Sequence, residues 1–355
     1  MSWSTSRRHL AMPGSVLSIT EQLWLLDWER GIAASMLRSR APKIAVYGRL
    51  ALAIFLLCLS ITSHSSLSSA KTPEVDFALI YRAAELSNQA YDNKSKIVAD
   101  LEGKSAKVAT PGTTDVQYFI GYNDTKKLQG ISVRGTDNET NWSLDKDTRL
   151  VRDDRTGILM HRGFRAAALA VYEDVKPRLK PGYTTYVTGH SLGGAVAAIV
   201  GIYLQQDGVK LGGIYTFGQP KFTNLEGAKQ LQSLPLLRVI YQNDTVVLLP
   251  DSDAEGEQAF VHVGAAINIL SGPYYAYASA QQTLQFSQGS LGKFLTQLSL
   301  PDHMMKWYLQ GVREKLQGAT QVSFEDRDKY IVRHKHGTGA GTEPVKRQFN
   351  FNKQN

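Results

Sequence analysis

A sixteen-residue segment, YTTYVTGHSLGGAVAA (183–198), constrains the fold more than any other part of the chain. β-Branched and aromatic residues lead into G-H-S-L-G, and small apolar residues follow. This order of strand, G-x-S-x-G turn and helix is typical of a nucleophile elbow. We expect glycine at 189 and 193 because a side chain at either position would collide with neighbouring backbone. The segment therefore predicts that Ser191 is a nucleophile at a sharp strand-to-helix turn.

The rest of the globular region alternates between two hydrophobic periodicities. Strand-like segments are predicted at 116–122, 128–133, 213–217 and 236–241. Helices are predicted at 77–91, 163–179, 224–232 and 302–316. Residues 265–299, rich in Tyr, Gln and Ser, are predicted to be less regular. Alternating strands and helices indicate an α/β fold with a mostly parallel central sheet covered by helices on both faces.

The formal charge of +8 lies at the two ends of the chain. Residues 1–70 carry seven Lys or Arg against three Asp or Glu, and residues 333–355 carry five against one. The body, residues 71–332, has twenty-eight of each and no net charge. A balanced body argues against nucleic acid as a partner. Residues 333–355, which contain Gly, Thr and basic residues, are predicted to be a basic disordered tail.

Residues 36–70 have the composition of a signal peptide. Basic residues precede the apolar run 50–61, and Ser68-Ser69-Ala70 offers a cleavage site before Lys71. An apolar run of twelve residues is shorter than the ~20 that a membrane-spanning helix needs, and an uncleaved anchor is the alternative. We expect residues 1–35 to be an upstream extension, with Met36 as the hypothesised start of translation. The prediction is a secreted or periplasmic protein whose mature domain spans residues 71–332.

A serine hydroxyl needs a base, and the base needs an orienting acid. In α/β-hydrolases these groups follow the serine in the order acid, then histidine, each after a strand. Asp244 directly follows the β-rich run 236–241, which would present it at the same sheet edge as Ser191. Asp251 and Asp253 lie farther along a polar loop and are weaker candidates.

The order of the chain leaves four histidines as candidate bases. His303 follows Pro301-Asp302 at the start of a predicted helix, a position from which it can reach a serine. His262 lies in a strand-like run and is the alternative, although a structural role fits it better. His334 and His336 lie in the predicted tail.

At this point the residues resemble the class 3 (fungal-type) lipase family from about Phe77 to Trp307. The resemblance rests on ordered motifs: V-R-G-T (133–136), N-W (141–142), H-R-G-F (161–164), T-G-H-S-L-G-G-A (188–195), T-F-G-Q-P-K (216–221), N-D (243–244) with Val246 and L-P (249–250), and P-D-H (301–303). The resemblance implies an α/β-hydrolase fold. It also implies Ser191 as nucleophile, Asp244 as orienting acid and His303 as base.

The same resemblance implies an oxyanion hole and a lid. Thr136, after Arg-Gly, and the backbone N–H of Leu192 would be the two oxyanion donors. The lid would lie between Thr136 and His161, in the segment 137–147, where only Trp142 and Leu144 are strongly apolar. Such a polar lid argues against strong interfacial activation, because a lid that docks on lipid presents a wide apolar face. Acyl-chain contacts are expected from 246–248 or from 267–277.

These observations predict a serine hydrolase that cleaves carboxylic esters of lipids, above all acylglycerols. A phospholipase or a short-chain or aromatic-acid esterase is the nearest alternative, and an inactive lipid-binding protein is the alternative outside the enzymes. No cluster of His, Asp or Glu has metal-ligand spacing, and no Gly-rich loop fits a phosphate or dinucleotide. We therefore expect no metal and no cofactor. The expected partners are a lipid ester and, transiently, a lipid surface.

Overall fold

The computed structural model describes residues 74–100, 106–112, 115–135, 149–250, 258–287 and 301–332. The chain divides into two compact units, Met1–Glu74 and Val75–Asn355, and all the described residues except Glu74 belong to the second. The predicted upstream extension, signal peptide and basic tail lie outside the described residues. Within the described part of the chain, no helix is both long enough and apolar enough to cross a membrane.

The described residues form seven α-helices and thirteen strands. The helices are α1 (Phe77–Gln89), α2 (Lys94–Asp100), α3 (Arg162–Val175), α4 (Leu192–Gln206), α5 (Leu225–Gln230), α6 (Ala280–Ser287) and α7 (Met305–Lys315). The strands are β1 (Ala106–Ala109), β2 (Tyr118–Asn123), β3 (Leu128–Val133), β4 (Leu150–Arg152), β5 (Leu159–His161), β6 (Thr184–His190), β7 (Leu211–Phe217), β8 (Thr223–Asn224), β9 (Leu236–Tyr241), β10 (Phe260–Val261), β11 (Ala265–Ile269), β12 (Tyr274–Ala278) and β13 (Thr320–Val322).

Nine strands form the main sheet, in the order β1-β2-β3-β6-β7-β9-β11-β12-β13. The five central strands β3, β6, β7, β9 and β11 run parallel. The pairs β1–β2, β2–β3 and β11–β12 are antiparallel, and the edge strand β13 pairs parallel with β12. A second, four-stranded sheet has the order β10-β8-β5-β4. The predicted mostly parallel sheet is therefore confirmed. Its parallel strands bring their carboxyl ends to one edge, where Ser191 and Asp244 follow β6 and β9.

Helices cover both faces of the main sheet. On one face α3 and α4 pack against β2, β3 and β6 through a core that includes Phe164, Val171, Ile199 and Val187. On the other face α1 and α7 pack against β7, β9 and β11. Helix α4 is buried on every side from Gly193 to Leu204, which explains why its sequence is apolar throughout rather than amphipathic.

The prediction of a less regular region at 265–299 is wrong for its described part. Residues 265–269 and 274–278 form a β-hairpin, and α6 follows it. Ile267 and Ile269 point to the α1/α7 face, whereas polar Asn268 occupies the opposite, buried face. Polar Asn268 and Tyr275 occupy buried positions of β11 and β12. The alternation of apolar and polar residues that predicts a strand is therefore weak in this region.

Two helix boundaries also differ from the prediction. Helix α3 ends at Val175 and gives way to a short 3-10 turn, Lys176–Arg178, which contains a proline. Helix α7 begins at Met305, and Pro301–His303 forms a separate 3-10 turn before it. His303 therefore lies on a short turn and not on the helix.

Candidate active site

The turn between β6 and α4 has the strained geometry that its sequence predicts. Ser191 has φ 59° and ψ −134°, a conformation that few side-chain-bearing residues adopt. A Cβ added at Gly189 would lie 2.3 Å from the backbone oxygen of Gly193, and one added at Gly193 would lie 2.4 Å from that of Val133. Both positions therefore require glycine, because the colliding atoms are backbone. The turn places Ser191 at the amino end of α4 and at the edge of the sheet.

Ser191 is one end of a continuous hydrogen-bonded chain of three buried side chains. Its Oγ lies 2.8 Å from Nε2 of His303, and Nδ1 of His303 lies 2.8 Å from Oδ2 of Asp244. A carboxylate oxygen only accepts, so Nδ1 of His303 carries the proton and Nε2 is left to accept from the serine hydroxyl. All three residues are at most 3% exposed. The structure thus brings together the three residues that the sequence assigned to one site.

Two further groups hold the Asp244 carboxylate. The backbone N–H of Val246 donates to Oδ1 at 2.9 Å, and the hydroxyl of Tyr308 on α7 donates to Oδ2 at 2.5 Å. Oδ2 therefore accepts from both Tyr308 and His303. Burial, followed by the negative charge of Asp244, raises the pKa of Tyr308 well above its ordinary value, so its hydroxyl remains a neutral donor. With three donors, the carboxylate is fixed in the plane that suits the imidazole.

Gly218, immediately after β7, lies against the contact between His303 and Asp244. A Cβ added at Gly218 would come within 2.8 Å of Cε1 and 2.9 Å of Nδ1 of His303, and within 2.9 Å of Oδ2 of Asp244. Its φ of +57° also favours glycine. The sequence indicates for Gly218 only a turn after the predicted strand 213–217. In the fold it also leaves the space in which the imidazole meets the carboxylate.

Replacing Gly218 with alanine is expected to lower kcat by about 100-fold, because the new methyl group would displace the imidazole from the carboxylate. Gly208→Ala is the matched control. Gly208 has a similar φ of +73°, and no described atom lies within 4 Å of an added Cβ. Both variants should lose about 1–2 kcal/mol of stability to backbone strain, but only Gly218→Ala should lose activity. Steady-state kinetics with thermal unfolding distinguishes them, and equal activity of the two variants would contradict the steric explanation.

Two other buried histidines, His190 and His262, have lowered pKa values. His190 lies between Tyr91 and His303: its Nδ1 is 2.6 Å from the Tyr91 hydroxyl and its Nε2 is 2.7 Å from the backbone oxygen of His303. Burial, followed by the charge of His303, lowers the pKa of His190 well below its ordinary value. His262 contacts the backbone of Val247, and burial, followed by the nearby Arg238 and Lys221 charges, lowers its pKa in the same direction.

The lowered pKa values of His190 and His262 predict that the free energy of unfolding depends on pH. In the unfolded chain each titrates near pH 6.5, whereas in the folded chain each stays neutral to a much lower pH. Between the folded pKa and about 6.5 the unfolded state binds more protons, so each histidine should lower the free energy of unfolding by about 1.4 kcal/mol for each pH unit of acidification. Above about pH 7 neither contributes a slope. Urea unfolding of wild type, His190→Gln and His262→Gln across this range checks it; an unchanged slope in both variants would contradict it.

The other candidate acids and bases are not brought to Ser191 within the described residues. His262 follows β10, where its contact is with Val247 rather than with the serine. Asp251, Asp253, His334 and His336 lie outside the described residues.

The candidate oxyanion groups are described only in part. Leu192 is the first residue of α4, and its N–H is one of those that a helix leaves without an intrahelical acceptor. Gly135 lies beside the nucleophile, since an added Cβ would be 3.1 Å from Cβ of Ser191. Thr136, the next residue, lies outside the described residues, as do Trp142 and Leu144 of the candidate lid.

The expected acyl-chain contacts are corrected in part. Ile267 and Ile269 belong to the core between the sheet and helices α1 and α7, where they are fully buried. They are therefore part of the packing of the domain and not of an exposed acyl site. Val246 and Val247, in the 3-10 turn just after Asp244, are also buried, at 1% and 4% exposed.

Sequence reasoning missed three residues around this chain of side chains: His190 and Tyr308 contact it, and Tyr91 contacts His190. Tyr91, His190 and Tyr308 were given no role, and Gly218 was given only a turn. Tyr308 lies five residues after His303. Its contact with Asp244 arises because α7 begins between the two residues, and the sequence placed His303 inside that helix. Tyr91 lies about one hundred residues before His190 in the chain, and no local pattern connects them.

The family model for lipase (class 3) matches residues 130–253. The secreted mono- and diacylglycerol lipase 1 of Fusarium solani is 33% identical over 167 residues, which cover 42% of this chain and 49% of that protein. The secreted alkaline triacylglycerol lipase of Penicillium cyclopium is 27% identical over 173 residues, 45% of this chain and 60% of that protein. This chain thus spans only about half of the length of the curated relatives that it matches.

The solved structures agree on the fold. The crystal structure of a lipase from Rhizopus microsporus var. chinensis superposes with a TM-score of 0.53 at 24% identity, over 64% of this chain and 85% of that one. At this identity the match bears on the fold, and it confirms the predicted α/β-hydrolase class. The matched family model extends from β3 to just beyond β9 and includes Ser191 and Asp244, so this part of the chain is similar to the class 3 lipase family.

Proposed function

We propose that the protein is a serine hydrolase that cleaves carboxylic esters of lipids, acylglycerols above all, through an acyl-enzyme on Ser191. The observation that carries the proposal is the chain of two 2.8 Å contacts from Oγ of Ser191 through His303 to Asp244. A serine is a weak nucleophile alone, and this arrangement supplies a base and an orienter for the base. The amino end of α4 adds N–H groups and a positive dipole end beside the serine.

In the first half of the reaction, Oγ of Ser191 attacks the ester carbonyl while Nε2 of His303 takes the hydroxyl proton. The carbonyl oxygen becomes an oxyanion that the Leu192 N–H and Thr136 stabilise, as the resemblance implies. Asp244 stabilises the imidazolium through Nδ1–H. His303 then gives its proton to the leaving alcohol, and the bond between the carbonyl carbon and the alcohol oxygen breaks.

In the second half, water replaces the alcohol. Nε2 of His303 takes a proton from the water as its oxygen attacks the acyl carbonyl. Collapse of the second tetrahedral intermediate returns the proton to Oγ of Ser191 and releases the fatty acid. Each half uses the same groups, so the site needs neither a redox partner nor a change in the role of Asp244.

Acylglycerols are the favoured substrate class because the matched relatives are named as mono- and diacylglycerol and triacylglycerol lipases. The polar composition of segment 137–147 favours the alternative, a phospholipase or a short-chain or aromatic-acid esterase. An acylglycerol lipase and the alternative enzymes would use the same Ser191, His303 and Asp244. They would differ in the residues that contact the acyl chain and the head group of the substrate.

A chain-length series separates the alternatives. Nitrophenyl acetate, butyrate, octanoate and palmitate would be compared with emulsified triglyceride and with phosphatidylcholine vesicles, using Ser191→Ala as the blank. An acylglycerol lipase should hydrolyse the long esters and the emulsion. A preference for acetate without turnover of emulsion supports an esterase, and fatty-acid release from the vesicles supports a phospholipase.

An inactive lipid-binding protein would fail a different test. A fluorophosphonate reacts covalently with an activated serine, so wild type should be labelled at Ser191. Absence of labelling in a folded sample would contradict the proposal.

We also propose that the protein is secreted or periplasmic, since the relatives are named as secreted and residues 36–70 resemble a signal peptide. A mature N-terminus at Lys71, found by sequencing the exported protein, is the expected result. Peptides from residues 1–35 in the expressed product would contradict a start at Met36.

A further inference from the structure

His190 is a buried histidine that contacts the main chain of His303 and not the reacting atoms. Its Nε2 lies 2.7 Å from the backbone oxygen of His303. A carbonyl oxygen only accepts, so Nε2 of His190 carries a proton and donates it. Nδ1 of His190 is then left with a lone pair, and the Tyr91 hydroxyl at 2.6 Å must be its donor. The two contacts together select one neutral tautomer of His190.

The surroundings of His190 favour this uncharged form. The ring is fully buried, packs 4.7 Å from the ring of His303 and meets the rings of Tyr91 and Tyr308 edge-on. A proton on Nδ1 would remove the acceptor for Tyr91. It would also place a second cation beside His303 when that residue takes the serine proton, which like-charge repulsion opposes.

Tyr91 is itself held in place from both sides along the chain. The side-chain amide of Gln117 donates to the backbone oxygens of Ala90 and Asp92, at 3.0 and 3.3 Å. The hydroxyl of Tyr91 lies against Gly135, where an added Cβ would be only 2.4 Å from it. Tyr91, whose hydroxyl selects the tautomer of His190, therefore belongs to a turn that Gln117 holds by two hydrogen bonds.

The turn that carries His303 is closed by a weak hydrogen bond, so the bond from His190 should help to hold it. His303 ends the short 3-10 turn Pro301–His303, and the bond from Met304 N–H to the Pro301 oxygen that closes this turn is long, at 3.5 Å. The imidazole nevertheless has to reach Ser191 on one side and Asp244 on the other, each at 2.8 Å. The bond from His190 anchors the residue that carries this double contact.

We propose that His190 is a positioning residue, which holds the main chain of His303 through Nε2–H so that the imidazole spans Ser191 and Asp244, with Tyr91 selecting the tautomer that makes this bond. The inference rests on the proposed serine hydrolase function. His190, the residue before the nucleophile, takes no part in the proton transfers, and the inference gives it a separate role in positioning the base.

Two amide substitutions separate the two contacts of the ring. A glutamine amide nitrogen can occupy the place of Nε2 of histidine, whereas an asparagine amide reaches only the place of Nδ1. His190→Gln should therefore keep the bond to His303 and lose that to Tyr91, and His190→Asn should do the reverse. We expect kcat for nitrophenyl butyrate to fall by about 10- to 100-fold in His190→Asn and by less than about fivefold in His190→Gln. KM should stay within about twofold in both.

Tyr91→Phe gives an independent measurement, because it removes the hydroxyl and leaves the ring and His190 unchanged. We expect kcat to fall by about three- to tenfold as the second tautomer becomes populated. Tyr118→Phe is the matched control: it removes a hydroxyl that donates to Asp174 and to no residue of the site, and it should leave kcat unchanged. This pair decides the question even if both His190 variants unfold.

The outcomes separate this inference from the function on which it rests. Wild type that hydrolyses the ester and is labelled at Ser191, with His190→Asn slower than His190→Gln, supports both. Folded variants with equal kcat, or Tyr91→Phe as active as Tyr118→Phe, would overturn the positioning role and leave the function standing. Wild type that is neither active nor labelled would overturn the function and the inference together.

Discussion

Replacing Ser191 with alanine is expected to lower kcat by at least about 10⁴-fold and to leave the fold intact. The variant loses the hydroxyl oxygen that lies 2.8 Å from Nε2 of His303. Alanine introduces no atom that serine lacks, so the strained φ of 59° and the packing of α4 should be retained. Ester hydrolysis and fluorophosphonate labelling measure the loss, and thermal unfolding checks the fold.

Ser132→Ala is the matched control for this substitution. Ser132 is also a fully buried serine on the central sheet, but its Oγ donates to the backbone oxygen of Leu86. We expect it to lose some stability, about 0.5–1.5 kcal/mol for one hydrogen bond, and to keep its labelling. Activity that survives in Ser191→Ala would mean that another group is the nucleophile.

Replacing Asp244 with asparagine is expected to lower kcat by about 10⁴-fold, by reversing the tautomer of the base. The Val246 N–H donates to Oδ1, so the carbonyl oxygen of the amide should stay there and the NH₂ group should take the place of Oδ2. An NH₂ group in that place donates to Nδ1 of His303. Nε2 would then carry the proton and could no longer accept from the serine.

The Tyr308 hydroxyl provides the comparison for Asp244→Asn. It shares Oδ2 with His303, so Tyr308→Phe removes one support and keeps both the charge and the tautomer. We expect a loss of about three- to tenfold, as for one hydrogen bond. If Asp244→Asn loses no more activity than Tyr308→Phe, the tautomer explanation is wrong, and the carboxylate has only a structural role.

The sequence was sufficient for the parts of the fold that local chemistry controls. Strands β3 and β9 have the predicted bounds, because each ends in apolar β-branched or aromatic residues that are typical of a buried parallel strand, such as Ile131 and Val133 in β3 and Val239 and Tyr241 in β9. Ser191 was identifiable from the glycines around it, which a sharp elbow requires wherever it occurs. Asp244 was identifiable from the β-rich run before it, whereas the residues alone left His262 open as an alternative to His303 and the resemblance then implied His303.

The remaining features depend on contacts between distant parts of the chain. Strands β11 and β12 were missed because Asn268 and Tyr275 stand among their buried positions, and the burial of such residues depends on neighbours that no window of sequence contains. The role of Gly218 became visible only when β7, β9 and the turn at His303 met. The tautomer of His190 likewise depends on Tyr91, which follows helix α1 about one hundred residues earlier in the chain.

The separation of the reacting groups along the chain has a consequence for how the protein gains activity. Ser191 and His303 are 112 residues apart, and His303 lies beyond all five central parallel strands, the last of which ends at Ile269. A refolding chain can therefore pair these five strands and still be inert until the turn at Pro301–His303 docks. In a refolding experiment, hydrolysis should recover after the far-ultraviolet circular dichroism signal, so that catalytic competence marks the final step of assembly.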